Sequence, residues 1–172
     1  GSQYLTLNNV FLDKIIQLYE HSITKLIKRY INQFVGVGNA SAKWLSTFNI
    51  KSNKVLYNAV MPVSFVGKKN NEVITITYIG RLLKEKGVLD ILEVYGEVQS
   101  MGYKVKLVVG GEGPVEKQVK ETALRVKNIE YLGKLTSLEV QEALRKTDIF
   151  LLPTRSEGGL ATALLEAGMQ GC

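Results

Sequence analysis

Val73-Ile74-Thr75-Ile76-Thr77-Tyr78-Ile79 runs directly into Gly80-Arg81-Leu82-Leu83-Lys84-Glu85-Lys86-Gly87. The first seven residues are β-branched or aromatic, and they predict a strand over residues 73–79. Gly80 allows a sharp exit, and a helix over residues 90–99 follows. Reading outward toward the C-terminus, the same alternation returns. Strands are expected at 104–109, 129–132 and 149–152, and a helix at 115–126. Thr136-Ser137-Leu138-Glu139 has the form of a capping box opening a helix to 144, and Thr162 or Ala163 starts a last helix. Strands and helices alternating through short loops imply an α/β fold with a doubly wound parallel sheet. In such sheets ligands bind outside the carboxyl ends of the strands.

The residues before position 73 are less regular. Apolar positions Ile16, Tyr19, Ile23, Leu26, Ile27 and Tyr30 recur at three- and four-residue spacing, which predicts a helix over 11–31. Phe34-Val35-Gly36-Val37 reads as a short buried strand. Asn39 reads as the N-cap of a helix over 41–48, and Val55-Leu56-Tyr57 as another strand. Residues 62–71, with Pro62, Gly67 and a polar run, read as a linker.

The chain has 172 residues, 45% of them hydrophobic and 22% charged, as expected of a globular chain large enough for a core without crosslinks. The one cysteine, Cys172, has no internal partner, which points to a reducing, cytoplasmic compartment. No apolar run reaches the roughly 18 residues of a membrane span. The net charge of +6 favours anionic partners, though surface lysines that only keep the protein in solution give the same balance. Interleaved aromatics and RNA-binding signatures are missing, so no nucleic-acid partner is expected. Lys14, Lys25, Lys28 and Arg29 on the first helix suit either a solvated face or a peripheral contact with an acidic membrane.

Three loops carry the candidate chemistry. After the 73–79 strand, Arg81 can fork onto phosphate oxygens and Lys86 adds a second cation. After the 104–109 strand comes Gly110-Gly111-Glu112-Gly113-Pro114, where glycines let a ligand approach the backbone and Pro114 opens a helix. After the 149–152 strand comes Ser156-Glu157-Gly158-Gly159-Leu160-Ala161-Thr162, leading into the last helix with Glu166 one turn inside. The free amides of that helix start suit phosphate. Each loop alone equally suits a solvated turn.

Taken together, in this order, Asn58-Ala59-Val60, Gly80-Arg81-Leu82 with Lys86-Gly87, Gly111-Glu112-Gly113-Pro114 and Glu157 through Glu166 resemble the motifs of family 4 GT-B glycosyltransferases. The resemblance implies the Rossmann-like C-terminal half of a GT-B fold. Residues 1–62 would be the tail of the N-terminal domain and residues 63–172 an incomplete donor-binding domain, with most of the acceptor-binding domain missing. It implies that Arg81, Lys86 and Glu157 are catalytic, the two cations stabilising the leaving diphosphate and Glu157 touching the donor sugar. Gly80, Gly111, Gly113, Gly133, Lys134, Ala161, Thr162 and Glu166 would bind the donor. Within that set Glu166 would accept from the ribose, the turn Gly133-Lys134 would lie at the base, and amides near Ala161 and Thr162 would hold phosphate. The partners implied are a nucleotide sugar, with UDP as carrier, and a saccharide or lipid-linked acceptor. No metal or other cofactor is implied, and the anomeric configuration would be retained.

Polysaccharide assembly on the cytoplasmic side of the membrane would be the setting, and this chain alone would not turn over. One departure stands out: eight residues separate Glu157 from Glu166, where the family has seven. Either the loop bulges by one residue, or Gly158 takes the first glutamate's place. The rival readings are a sugar-nucleotide epimerase of the same fold, a non-catalytic scaffold, and a basic nucleotide- or nucleic-acid-binding module.

Overall fold

The computed structural model describes residues 4, 6–7, 9–52, 54–62, 67, 72–155 and 160–172. They divide into two compact units, residues 1–58 with 157–161, and residues 59–156 with 162–172.

The second unit is built on four parallel strands, β1 (Ile74–Ile79), β2 (Val105–Gly110), β3 (Ile129–Gly133) and β4 (Ile149–Phe150), in the spatial order β3-β2-β1-β4. Ile74 stands opposite Val105, Ile79 opposite Gly110, and Ile76 opposite Ile149. The chain therefore steps outward from β1 to β3 and then returns to the other side of β1. That reversal puts the topological switch between β1 and β4.

Alternation along β1 decides what each face packs against. Ile76 and Tyr78 point to a core formed with α3 (Val88–Ser100) and α4 (Glu116–Arg125), where Leu82, Val88, Leu107, Val109 and Val119 are fully buried. Ile79 points to the opposite face, where Leu144 of α5 (Ser137–Arg145) and Ala167 of α6 (Thr162–Met169) complete a smaller core. Helices on both faces make the sheet doubly wound, as the alternation of elements predicts.

Thr77, on the same face as Ile79, cannot bury a hydroxyl without a partner. Its Oγ1 lies 2.7 Å from Thr147 Oγ1, which itself donates to the Ala143 carbonyl at 2.8 Å, so Thr77 is the donor to Thr147. Asp148 accepts the Thr75 amide at 2.8 Å, and its own amide donates to the Thr75 carbonyl at 2.8 Å. These bonds seat the short β4 against β1.

The capping box is present. Thr136 Oγ1 accepts the Glu139 amide at 3.4 Å, and the Glu139 carboxylate accepts the Thr136 amide at 2.7 Å. Bonds to the backbone and then the hydroxyl of Thr136 hold the Glu139 carboxyl below its ordinary 4.5. A depressed carboxyl contributes stability above its unfolded value and loses it as pH falls through the folded one. Thr136→Ala is expected to lower stability by about 1 kcal/mol at neutral pH in urea denaturation. The difference between the wild type and Glu139→Gln is expected to shrink as pH drops below 4.5.

The first unit differs from its sequence reading. Helix α1 spans Val10–Ile27, capped by the Asn9 side chain, which accepts the Phe11 and Leu12 amides. Its apolar periodicity is real, yet none of its residues is buried. His21 and the C-cap residue Lys28 are exposed yet make contacts: the His21 ring stacks with Tyr4 and sits 4.9 Å from Phe48, and Lys28 Nζ donates to the Asn49 carbonyl at 3.0 Å. Phe11, Leu18, Tyr19 and Leu26 are exposed. Helix α2 spans Asn39–Leu45 and a 3-10 turn follows at Ser46–Phe48. The N-cap is Gly38 rather than Asn39, whose side chain instead lies 3.5 Å from the Tyr57 hydroxyl.

The expected strands at 34–37 and 55–57 reduce to a single parallel bridge between Gly36 and Val55. Gly36 lies so close to Ala42 that a Cβ there would meet the Ala42 nitrogen at 2.4 Å. The segment is thus seated on α2 instead of extending into a ladder. Among the described residues no helix is long and apolar enough to cross a membrane.

Candidate functional site

Every strand of the second unit hands over to a loop at the same edge of the sheet, and the loops are bonded to one another in sheet order. The Gly111 amide donates to the Gly133 carbonyl at 2.7 Å, joining the loops after β2 and β3. The Leu82 amide donates to the Glu112 carbonyl at 3.0 Å and the Val115 amide to the Leu82 carbonyl at 3.2 Å, joining the loops after β1 and β2. The Arg155 amide donates to the Glu85 carbonyl at 3.0 Å, joining the loops after β1 and β4. Side chains reinforce this frame: the Tyr78 hydroxyl donates to the Arg81 carbonyl and the Tyr131 hydroxyl to the Gly111 carbonyl, both at 2.8 Å. Burial, then the Glu116 carboxylate, pushes the Tyr131 hydroxyl's pKa up.

Three glycines make the loop contacts geometrically possible. A Cβ on Gly111 would sit 1.9 Å from the Gly80 carbonyl oxygen, one on Gly113 2.5 Å from the Leu82 oxygen, and one on Gly87 2.4 Å from the Pro153 oxygen. At Gly111 and Gly113 the space freed by glycine is therefore occupied by the neighbouring loop. At Gly133, with φ at +71°, a Cβ would meet nothing within 4 Å, so that side of the turn is open.

The expected site residues fall on this frame as follows. Gly80 ends β1 and Arg81 follows it, exposed. Lys86 closes a 3-10 turn (Lys84–Lys86) and is half-buried, and Gly87 after it starts α3 in a left-handed conformation. Lys134 is exposed beyond β3, and its Nζ is 2.9 Å from Glu112 Oε1. That contact raises the lysine's pKa, so it stays cationic. Thr162 is the first residue of α6, one of the two starts expected from the sequence. Glu166, one turn in, is half-buried and lines a groove of about 340 Å³ between α5 and α6 together with Ser137, Gln141 and Thr162. Ala161 is half-buried and belongs to the first unit, where the neighbouring Leu160 carbonyl accepts from the Asn58 side chain at 2.8 Å. Glu157 lies outside the described residues, as does Gly158.

Arg81 and Lys86 thus leave β1 on one side of the β1–β4 switch, and α6 follows β4 on the other. Local sequence pattern does not single out Glu112, Tyr131 or Arg155 as parts of this edge. Glu112 sits inside a conspicuous glycine loop, but its pairing with Lys134 depends on β2 and β3 being neighbours, and spacing along the chain does not reveal that.

Comparison with known proteins accords with this geometry. Over 180 aligned positions the chain is 26% identical to an uncharacterized glycosyltransferase of Methanocaldococcus jannaschii, covering 97% of this chain and 46% of that protein. It is 32% identical to the putative teichuronic acid biosynthesis glycosyltransferase TuaC of Bacillus subtilis, over 52% of this chain and 21% of that one. Among solved structures, a TarM mutant of S. aureus crystallised with UDP superposes with a TM-score of 0.70 at 20% identity, covering 83% of this chain and 29% of that chain. The chain thus spans about half the length, or less, of the relatives it matches. The sequence profile described as "Glycosyl transferases group 1" matches residues 63–172, the greater part of the chain, and with the parallel sheet and its bonded loops this shows that the chain belongs to that glycosyltransferase family.

Proposed function

We propose that the second unit holds the nucleotide-diphosphate end of a sugar donor, UDP-linked, for transfer to a saccharide or lipid-linked acceptor with retention of configuration. The observation that carries this reading is the position of Arg81, Lys86 and the α6 start on the two sides of the β1–β4 switch. In an open parallel sheet a ligand binds outside the carboxyl ends of the strands at that point.

The chemistry fits what those groups offer. As the glycosidic bond to phosphate breaks, positive charge builds on the sugar and negative charge on the departing diphosphate. An exposed guanidinium, the ammonium of half-buried Lys86 and helix-terminal amides can stabilise that negative charge. In this reading Arg81 and Lys86 take the diphosphate, the Thr162 end of α6 takes phosphate oxygens, Glu166 accepts from the ribose hydroxyls, and the open side of Gly133 with Lys134 receives the base. Glu157 is assigned to the sugar on the family resemblance alone. Transfer itself requires a second lobe to present the acceptor, so the activity proposed for this chain by itself is donor binding. A cytoplasmic setting, with the lysines of α1 near an anionic membrane surface, belongs to the same proposal. TuaC's description as a putative teichuronic acid biosynthesis glycosyltransferase and the UDP in the TarM structure support this substrate class.

A thermal-shift series tests it. UDP is expected to raise the melting temperature by mass action and uridine to do so far less. Glu166→Ala is expected to abolish the preference for UDP over 2′-deoxy-UDP. A chain that melts at the same temperature with and without millimolar UDP would end the proposal.

A further inference from the structure

The 3-10 turn Lys84–Lys86 is three residues long and projects from the end of β1. Its internal bonds are those expected of such a turn, Lys86 amide to Leu83 carbonyl and Gly87 amide to Lys84 carbonyl, both 3.0 Å. Contacts from the loop after β4 hold the turn and the start of α3 in place. Pro153 packs where a Gly87 side chain would be. Arg155 reaches this region at two places: its main-chain amide donates to the Glu85 carbonyl of the turn at 3.0 Å, and its guanidinium is 3.3 Å from Asp90 Oδ2 in the first turn of α3. Asp90 thereby engages the guanidinium from the helix that the turn feeds.

We propose that Arg155 is a positioning residue for the diphosphate: by pairing with Asp90 in the first turn of α3 its guanidinium steadies the helix into which the Lys84–Lys86 turn runs, which sets where the Lys86 ammonium meets phosphate, and it does not contact the phosphate itself. The proposal rests on the donor-site reading above and adds the means by which the loop after β4 governs the loop after β1. Misplacing a charged group by about an ångström is enough to weaken its action on a bound ligand. The pair is exposed on both sides, with side chains 67% and 50% accessible, and the main-chain bond from Arg155 to Glu85 survives a change of side chain, so losing the pair loosens the start of α3 without unfolding the turn.

The test is calorimetric titration of UDP into the wild-type chain, Arg155→Ala, Arg155→Lys, Lys86→Ala and the double variant Arg155→Ala/Lys86→Ala. Lys86→Ala is expected to weaken UDP about tenfold, and Arg155→Ala about threefold, in keeping with an exposed pair. Arg155→Lys, which can still reach Asp90, is expected to recover most of the loss. Because Arg155 acts through Lys86, the double variant is expected to match Lys86→Ala alone. Additive losses in the double variant would overturn the proposal by making Arg155 a direct phosphate ligand or a general stabiliser, and an unchanged affinity in Arg155→Ala would overturn it as well. If the wild-type chain itself binds no UDP, the donor-site reading fails first, so the two failures are distinguishable.

Discussion

Alanine at position 111 is expected to cost the second unit at least about 3 kcal/mol of stability, more than any other single methyl added to its loops. Two penalties combine there. Gly111 has φ at +129°, a conformation that L side chains rarely adopt, and its Cβ would stand 1.9 Å from the Gly80 carbonyl oxygen. The obstacle is main chain, so no rotamer change relieves it, and the loops after β1 and β2 must separate. Separation breaks the Leu82–Glu112 and Val115–Leu82 bonds at the same time. UDP binding is expected to disappear with it, since Arg81 sits on the displaced loop.

Two control substitutions isolate the cause. Gly102→Ala meets φ at +84° with nothing within 4 Å, so it carries backbone strain alone, about 1 kcal/mol. Gly96→Ala, inside α3 with open space around it, is expected to stabilise by up to about 1 kcal/mol. Urea denaturation of the three variants gives the ranking. A Gly111→Ala protein as stable as Gly102→Ala would show that the loops are not locked as described.

The second large effect concerns binding. Arg81→Ala is expected to lower UDP affinity by about ten- to a hundredfold, the span covered by one or two charge-assisted hydrogen bonds. It should leave the melting temperature of the free chain nearly unchanged, because the side chain is exposed and the Tyr78 hydroxyl holds the backbone carbonyl of this residue, not the guanidinium. Arg81→Lys is expected to restore only part of the affinity, since an ammonium cannot reproduce the two-pronged geometry. The readout is the UDP-dependent rise in melting temperature together with titration calorimetry. A free chain destabilised as much as the complex would move Arg81 from ligand binding to folding.

Much of the second unit is legible from local pattern because each element is consistent with its neighbours. The run at 74–79 alternates toward two cores, and Thr136 and Glu139 stand three apart at a helix start. The edge of the sheet is less legible. Which loops touch depends on the order β3-β2-β1-β4, and nothing in the spacing of Gly111 and Gly80 reveals that one needs the other's carbonyl in its side-chain space. The first unit shows the opposite failure. Periodicity locates α1 to within a few residues but not its environment, since an amphipathic pattern states which residues are suited to burial and not what covers them. At 34–37 a short apolar run reads as a strand, yet the close approach of Gly36 to Ala42 keeps it off any ladder.

Because the four loops at this edge are fastened by peptide groups and by the absence of side chains at Gly87, Gly111 and Gly113, their shape owes little to the identity of the outward residues Lys84, Glu112 and Lys134. A randomised library at those three positions should therefore return mostly folded proteins, and selection on it would act on ligand preference alone. The frame supplies a fixed socket, and the outward side chains form an interchangeable lining through which such an edge can drift from one nucleotide to another without first losing its architecture.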